Sequence, residues 1–286
     1  MNHDIHVLDC YVKQFLSRIT CNGKAMDMGT TTKALRMLDF FSLTGPEIGL
    51  SQMTRLTGYN KATALRLLTE LVEYGLVEQD SDTKQYRLGS AVLRLAHLRE
   101  SSFPTRTVAR PFMKDCVEQS GECCHLALLD GFHLNTIAVE DSSAHSTRVV
   151  IDAAVRLPLH ATASGLAVTA FGSQALREWV QTEKLEQFTS STIVDPAKLE
   201  PVLERVRTTG LAESPDGFEI EVHGIAAPLF DAKGLAIGSI AIATPSSRMN
   251  EELRQRIYAI LLNASANITR AWGGSFPASF RQHIQT

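Results

Sequence analysis

The chain has little of what several classes of protein require. It holds five cysteines, Cys10, Cys21, Cys116, Cys123 and Cys124, an odd and scattered set. A disulfide-stapled secreted scaffold uses an even, spaced set, so this usage points to a reducing, cytoplasmic compartment. No apolar run approaches the roughly 20 residues that span a bilayer, and no membrane partner is expected. The opening Met1-Asn2-His3-Asp4-Ile5-His6 lacks both parts of a secretory signal, the cationic start and the apolar stretch. There is no Gly-rich phosphate loop to suggest a nucleotide switch. A basic surplus is missing too: 28 Lys and Arg stand against 31 Asp and Glu, a net charge of −3. Phosphate neutralisation supplies nearly all non-specific nucleic-acid affinity, so a general DNA coater is excluded.

What is present is an ordinary globular composition, 44% hydrophobic and 21% charged, in a length of 286 residues that suits two domains. Residues 1–27 show no regular pattern. They read either as a flexible tail or as sequence upstream of a true start at Met26 or Met28. From Thr30 the apolar residues Ala34, Leu35, Met37, Leu38 and Phe41 recur at helical spacing, and Gly45-Pro46 closes that helix. Ser51 is expected to cap a second, short helix that stops at Gly58, with Gln52 in its first turn. Asn60 caps a third. At 100° per residue its Leu65, Leu68, Leu71 and Val72 share an inward face, which leaves Ala62, Thr63, Arg66, Thr69 and Glu73 outside.

Small and hydrogen-bonding side chains followed one turn later by an arginine suit base edges, and Lys61 suits phosphate. A solvated surface helix explains the same pattern as well. The next segment favours the first reading. Gly75 ends the helix, Leu76-Val77 opens a strand, Asp80-Ser81-Asp82-Thr83 turns, and Lys84 to Leu88 returns as a second strand carrying Lys84 and Arg87. Helix, tight turn, helix and cationic hairpin is the order of a winged helix-turn-helix, which puts its second helix into a DNA major groove. Residues 29–89 balance seven basic against seven acidic side chains, which favours site-specific over general binding.

The run from Thr57 to Leu68, the run from Leu71 to Glu78 and the ending Tyr86-Arg87-Leu88-Gly89 together resemble the DNA-binding domain of IclR-type transcriptional regulators. The similarity extends from about Thr30 to about Gly273. One departure is Ala62, where the family usually carries a serine beside Thr63. The expected DNA-contacting set is Ser51, Gln52, Asn60, Lys61, Ala62, Thr63, Arg66, Thr69, Lys84 and Arg87.

Ser90 to Glu100 reads as an amphipathic connector. The resemblance implies that it helps hold two protomers together, in a homodimer or a tetramer. Paired half-sites double the contacts to an operator. Beyond it the sequence predicts a helix over 105–121 and strands over 125–129, 133–140 and 148–151. Helices follow over 162–171, 175–183 and 197–208, then strands over 224–230 and 235–243, and a last helix over about 250–272. Strands interleaved with helices describe an α+β domain, and the resemblance implies a GAF-like effector domain. The domain boundaries read 28–89, 90–104 and 105–274, with a tail over 275–286.

Three stretches carry the likeness in this half: Arg156 to Gly165, Gly224 to Asp231 and Gly238 to Pro245. The resemblance implies a pocket for a small organic or aromatic acid, lined by Leu157, Ala163, Ser164, Val222, Gly224, Ala241 and Ala243, with Asp216 as a further polar contact. A Thr-Ala-Ser-Gly helix start offers backbone N–H groups and a partial positive charge to a carboxylate. Small residues also simply let a helix approach a sheet. Ala241 and Ala243 replace hydroxyl side chains of several relatives, which suggests a larger or aromatic ligand. The implied function is a ligand-responsive regulator, with control of a catabolic operon as the expected task. Two alternatives stand beside it. Ser164 invites a hydrolase, although Thr162 occupies the first glycine of the Gly-x-Ser-x-Gly elbow and no acid completes a triad. Cys123-Cys124 invites a redox sensor, although paired cysteines opening a strand usually belong to a core. No metal or cofactor is expected.

Overall fold

The computed structural model describes residues 29–43 and 45–284. The readings placed on residues 1–27, including an alternative start at Met26 or Met28, lie outside them. The chain divides into two compact units, one ending at Phe103 and the other beginning at Pro104.

In the first unit, α1 (Thr30–Leu43), α2 (Leu50–Thr57) and α3 (Lys61–Glu73) precede a hairpin of β1 (Val77–Gln79) and β2 (Tyr86–Leu88), followed by α4 (Ser90–Ser102). Met37, Phe40, Ile48, Met53, Ala64, Leu67, Leu68, Leu71, Val77 and Tyr86 close a single core. Two expectations need correction here. The buried face of α3 is Ala64, Leu67, Leu68 and Leu71, whereas Leu65 and Val72 are exposed. Three inward leucines and Ala64 already complete an i, i+3, i+4, i+7 stripe, so the stripe sits about one residue from where the leucine pattern alone places it. Gly49, with no side-chain bond, is the N-cap of α2, and Ser51 lies one residue inside the helix, exposed. No side chain of α4 is buried, and Leu93, Leu95 and Leu98 face solvent.

The second unit opens with α5 (Thr105–Ser120). It continues through β3 (Cys123–Asp130), β4 (His133–Glu140), β5 (Arg156–Pro158), α6 (Ala163–Phe171), α7 (Gln174–Thr182) and α8 (Pro196–Thr209). β6 (Ala212–Pro215), β7 (Val222–Phe230), β8 (Ala236–Pro245), α9 (Glu251–Ala271) and α10 (Ala278–Arg281) complete it. The strands form one sheet of six in the order β5-β4-β3-β8-β7-β6, every pair antiparallel.

Period-two alternation divides its faces. Leu126, Ile225, Ala227, Ile240 and Ile242 pack with Met113, Ile257 and Leu261 of α5 and α9. Ala127, Ala226 and Ala241 belong to the opposite core, with Leu166 of α6 and Leu199 of α8. In β8 the alternation Ile240-Ala241-Ile242-Ala243 therefore fills one face and leaves room on the other. That room is where the cavity lies.

The sequence-derived strand over 148–151 does not form; the segment is irregular, with Val150 exposed, and the edge strand is Arg156–Pro158 instead. β-branched residues gave that stretch its strand character, but they serve as cavity wall. Residues 275–284 are not a tail. Phe280 is fully buried, with its ring centroid 4.9 Å from that of Phe230 and 5.5 Å from that of Phe171, and Phe276 stacks beside it. Two aromatic anchors suffice to dock a short polar segment that shows no periodicity.

Candidate functional site

The turn between α2 and α3 holds the first candidate surface. Gly58 takes φ +70° and donates its N–H to Thr54 O, a left-handed stop that a side chain would strain. Asn60 Oδ1 then accepts the Thr63 N–H at 2.8 Å and starts α3. Lys61, Ala62, Arg66 and Thr69 are exposed and Thr63 is half-buried on this helix, with Ser51 exposed and Gln52 half-buried on α2.

Two of the cations have intramolecular partners. Arg66 Nη1 lies 3.0 Å from Glu70 Oε1, and Arg87 Nε lies 2.6 Å from Glu78 Oε1 with Glu47 3.8 Å from Nη1. These are exposed pairs of small energetic weight, which exchange readily for phosphate or base. The Asp80 carboxylate organises the wing by accepting from the Thr83 N–H, the Thr83 hydroxyl and the Asp82 N–H, bonds that hold its carboxyl below the usual range. Lys84 is not in a strand: it sits exposed in the turn at φ +57°. The wing thus presents Lys84 at its tip and Arg87 on its return strand.

The second candidate is a cavity of about 100 Å³ between the sheet and the start of α6. Leu157, Ala163, Ser164, Val222, Gly224, Ala241 and Ala243 all line it. Strand register brings them together: Cys123 pairs with Ala243, which pairs with Gly224, and His125 pairs with Ala241. Over this floor stands the first turn of α6. Thr162 caps it by accepting the Gly165 N–H at 2.9 Å while donating to Pro158 O. Gly165 permits the close seat, since a Cβ there would meet Pro158 O at 2.3 Å and Leu159 Cα at 2.5 Å.

Asp216 does not belong to the set. It lies outside the cavity wall at φ +53°, with Oδ1 accepting from Ser246 Oγ at 2.8 Å. The left-handed turn carries its side chain toward the loop after β8.

Sequence reasoning missed His125, which is the most informative residue of the wall. It is buried, its Nε2 lies 3.2 Å from Ser164 Oγ, and its Nδ1 has no hydrogen-bond partner. Burial pushes its pKa from the ordinary 6.5 to about 4, so the ring is neutral at physiological pH. Also missed were Ser214, Phe218 and Glu219, and the wall made by Val149, Val150, Ile151, Asp152 and Val155. The only available signal for His125 was its polarity in an otherwise apolar strand. The approach to the irregular wall is tied down at two points. Ser142 Oγ donates to Gly121 O at 2.6 Å, and Arg248, paired with the buried Glu122, donates to Thr147 O at 3.1 Å.

Ser164 and His125 have the reach of a nucleophile and its base. The imidazole nevertheless lacks the carboxylate that orients such a base, and its protonation is strongly disfavoured. The cysteine alternative fares similarly. Cys116, Cys123 and Cys124 are buried free thiols, and burial pushes Cys123 and Cys124 up, away from the thiolate that redox chemistry needs. Among the described residues no cluster of His, Cys, Asp and Glu is placed to hold a metal, and no helix is long and apolar enough to cross a membrane.

Comparison with known proteins assigns both surfaces to one family. Residues 30–81 match the IclR helix-turn-helix domain, and residues 99–270 match the family described as bacterial transcriptional regulator IclR C-terminal. The chain is 30% identical over 233 residues to the HTH-type transcriptional regulator BhcR of Paracoccus denitrificans, covering 79% of this chain and 82% of that protein. It is 28% identical over 243 residues to the Pca regulon regulatory protein of Pseudomonas putida, covering 84% and 83%. Among solved structures, an IclR-type regulator from Silicibacter sp. TM1040 superposes with a TM-score of 0.82 at 42% identity, covering 88% of this chain and 99% of that one. An IclR homolog from Microbacterium hydrocarbonoxydans, solved in complex with 4-hydroxybenzoate, gives 0.73 at 25% identity and covers 85% and 99%. The chain belongs to the IclR family of DNA-binding transcriptional regulators.

Proposed function

We propose that the cavity beneath α6 is the effector site of this regulator and that its occupancy by a small organic or aromatic acid changes operator affinity. The observation that carries this reading is the buried polar pair in the cavity wall, a neutral His125 whose Nε2 lies 3.2 Å from Ser164 Oγ. The Ser164 hydroxyl and the His125 ring give a largely apolar wall the few polar groups that orient a small ligand. The start of α6 adds backbone N–H groups and a partial positive charge, which suit a carboxylate without any lysine or arginine. An apolar cavity on the order of 150 Å³ accepts benzene. The volume of about 100 Å³ therefore favours one small ring or a short aliphatic acid over anything larger, despite Ala241 and Ala243. The 4-hydroxybenzoate complex of the Microbacterium homolog supports the same ligand size and class.

On the DNA side the proposed contacts are Lys61, Ala62, Thr63, Arg66 and Thr69 of α3, with Lys84 and Arg87 of the wing and Ser51, Gln52 and Asn60 flanking. A second copy of the chain is the proposed cover for Leu93, Leu95 and Leu98 on α4, giving the paired reading helices that a two-fold operator needs. Linkage requires that an effector bind the DNA-competent and DNA-incompetent arrangements unequally, and couplings of this kind are worth about 1–3 kcal/mol. The test is a thermal-shift screen of the full chain against small aromatic and aliphatic acids, repeated on Ser164→Trp. The expected result is stabilisation of the native chain that disappears in the variant. Equal shifts in both proteins would move the site elsewhere.

A further inference from the structure

The cavity wall carries two acids and no lysine or arginine. Asp152, in the irregular segment before β5, and Glu219, between β6 and β7, line it together, and neither lysine nor arginine does. Both residues retain exposed surface, although the Glu219 carboxyl is drawn inward, in contrast to the buried setting of His125 and Ser164. Asp152 Oδ1 accepts the Ala154 N–H at 2.8 Å, which fixes that side chain at the mouth. Withdrawal of the Glu219 carboxyl from water, and then the nearby Asp152 charge, both push its pKa up. The two carboxyls share one cavity lining that contains neither lysine nor arginine. At the deep end the buried His125–Ser164 pair, 3.2 Å apart, supplies further polar groups to the wall.

We infer that Asp152 and Glu219 are specificity residues that select an acid whose far end bears a hydrogen-bond donor, a hydroxyl or an ammonium, and that turn away dicarboxylates. The inference rests on the acid-binding reading of the cavity. A ligand that seats its carboxylate against Ser164, His125 and the α6 start must direct its other end toward the mouth. A hydroxyl or ammonium there donates to a carboxylate, the stronger kind of hydrogen bond. A methyl group offers the two carboxylates nothing to accept. A second carboxylate meets two acids of its own sign with no lining cation to offset the repulsion.

Two matched series of probes, titrated calorimetrically into the full chain, test this. The aliphatic series is butyrate, 4-hydroxybutyrate, 4-aminobutyrate and succinate. The ring series is benzoate, 4-hydroxybenzoate, 4-(aminomethyl)benzoate and terephthalate. In the series that fits, the hydroxyl and ammonium members should bind at least about tenfold tighter than the unsubstituted acid, with the dicarboxylate weakest, a gap of about 1.4 kcal/mol per tenfold. In Asp152→Asn/Glu219→Gln, and partly in each single variant, the ammonium preference should collapse and the dicarboxylate should gain. The isosteric amides keep the fold, checked by an unchanged melting temperature. If no member of either series binds, the acid-binding reading fails and this inference falls with it. If acids bind but all four ends bind alike, or the order survives in the double variant, the selection by Asp152 and Glu219 is wrong while the effector cavity stands.

Discussion

The reading surface and the cavity are built on opposite plans. Most of the proposed DNA face comes from one 13-residue helix and the hairpin beside it, with its polar side chains exposed and its charges paired loosely within the surface. The cavity is assembled from β3, the 149–155 segment, the β5–α6 corner, the β6–β7 connection and β8, with its key polar group buried and neutral. A local surface can exchange partners with solvent, ions or DNA at little cost. A buried one is committed, because each unpaired atom in it carries a desolvation penalty. Substitutions should therefore act on binding at the first surface and on both binding and stability at the second.

Titration gives the largest expected contrast. His125 has a folded pKa of about 4 against an ordinary 6.5. The unfolded chain thus binds the proton that the folded chain refuses, so stability is full above the ordinary value and is lost as pH falls through that window. The loss amounts to about 3 kcal/mol, at 1.36 kcal/mol per pKa unit. Urea unfolding of the effector unit should steepen its pH dependence there, and His125→Gln should flatten it. An unchanged profile would mean that the ring is not held neutral.

Next comes Arg66→Ala, which should lower affinity for an operator duplex by about 1–3 kcal/mol, a factor of roughly 5 to 150, while leaving effector binding intact. Arg66 is exposed and paired with Glu70, so unchanged operator affinity in a fluorescence titration would remove α3 from the reading role. Asn60→Ala should cost about 1 kcal/mol of stability in the DNA-binding unit through loss of the cap to Thr63, with no change in the effector unit. The smallest effect belongs to the wing. Lys84→Ala should weaken binding to all DNA sequences alike and reduce the salt slope of log K by about 1 per wing.

The same contrast explains what the sequence revealed. Helices, caps and the wing follow from short-range chemistry, and Asn60, Gly58 and the Asp80 turn are readable from neighbouring residues alone. The errors in that unit were local ones: the inward face of α3 centred on Leu65 and Val72 instead of Ala64 and Leu67, and a cap assigned to Ser51 in place of Gly49. In the effector unit, Leu157, Ala163, Ser164, Val222, Gly224, Ala241 and Ala243 were accessible through family resemblance, since no spacing rule joins residues so far apart. His125 reaches the cavity only through its register with Ala241 across the sheet. Residues 149–155 look like strand by composition and act as wall. Asp216 was misplaced because its positive φ is invisible in a sequence without glycine there, and Phe280 because two aromatic anchors make no period.

The central claim is that two separate surfaces are coupled through one chain. Its most direct test uses a duplex selected from a random pool by the purified protein. Operator affinity is measured with and without saturating 4-hydroxybenzoate or 4-hydroxybutyrate, whichever binds, in the native chain and in Ser164→Trp. The account predicts a ligand-dependent change of roughly 5- to 150-fold in the native chain. It predicts none in the variant, at equal ligand-free affinity. A variant that binds DNA normally and still responds to the acid would contradict it.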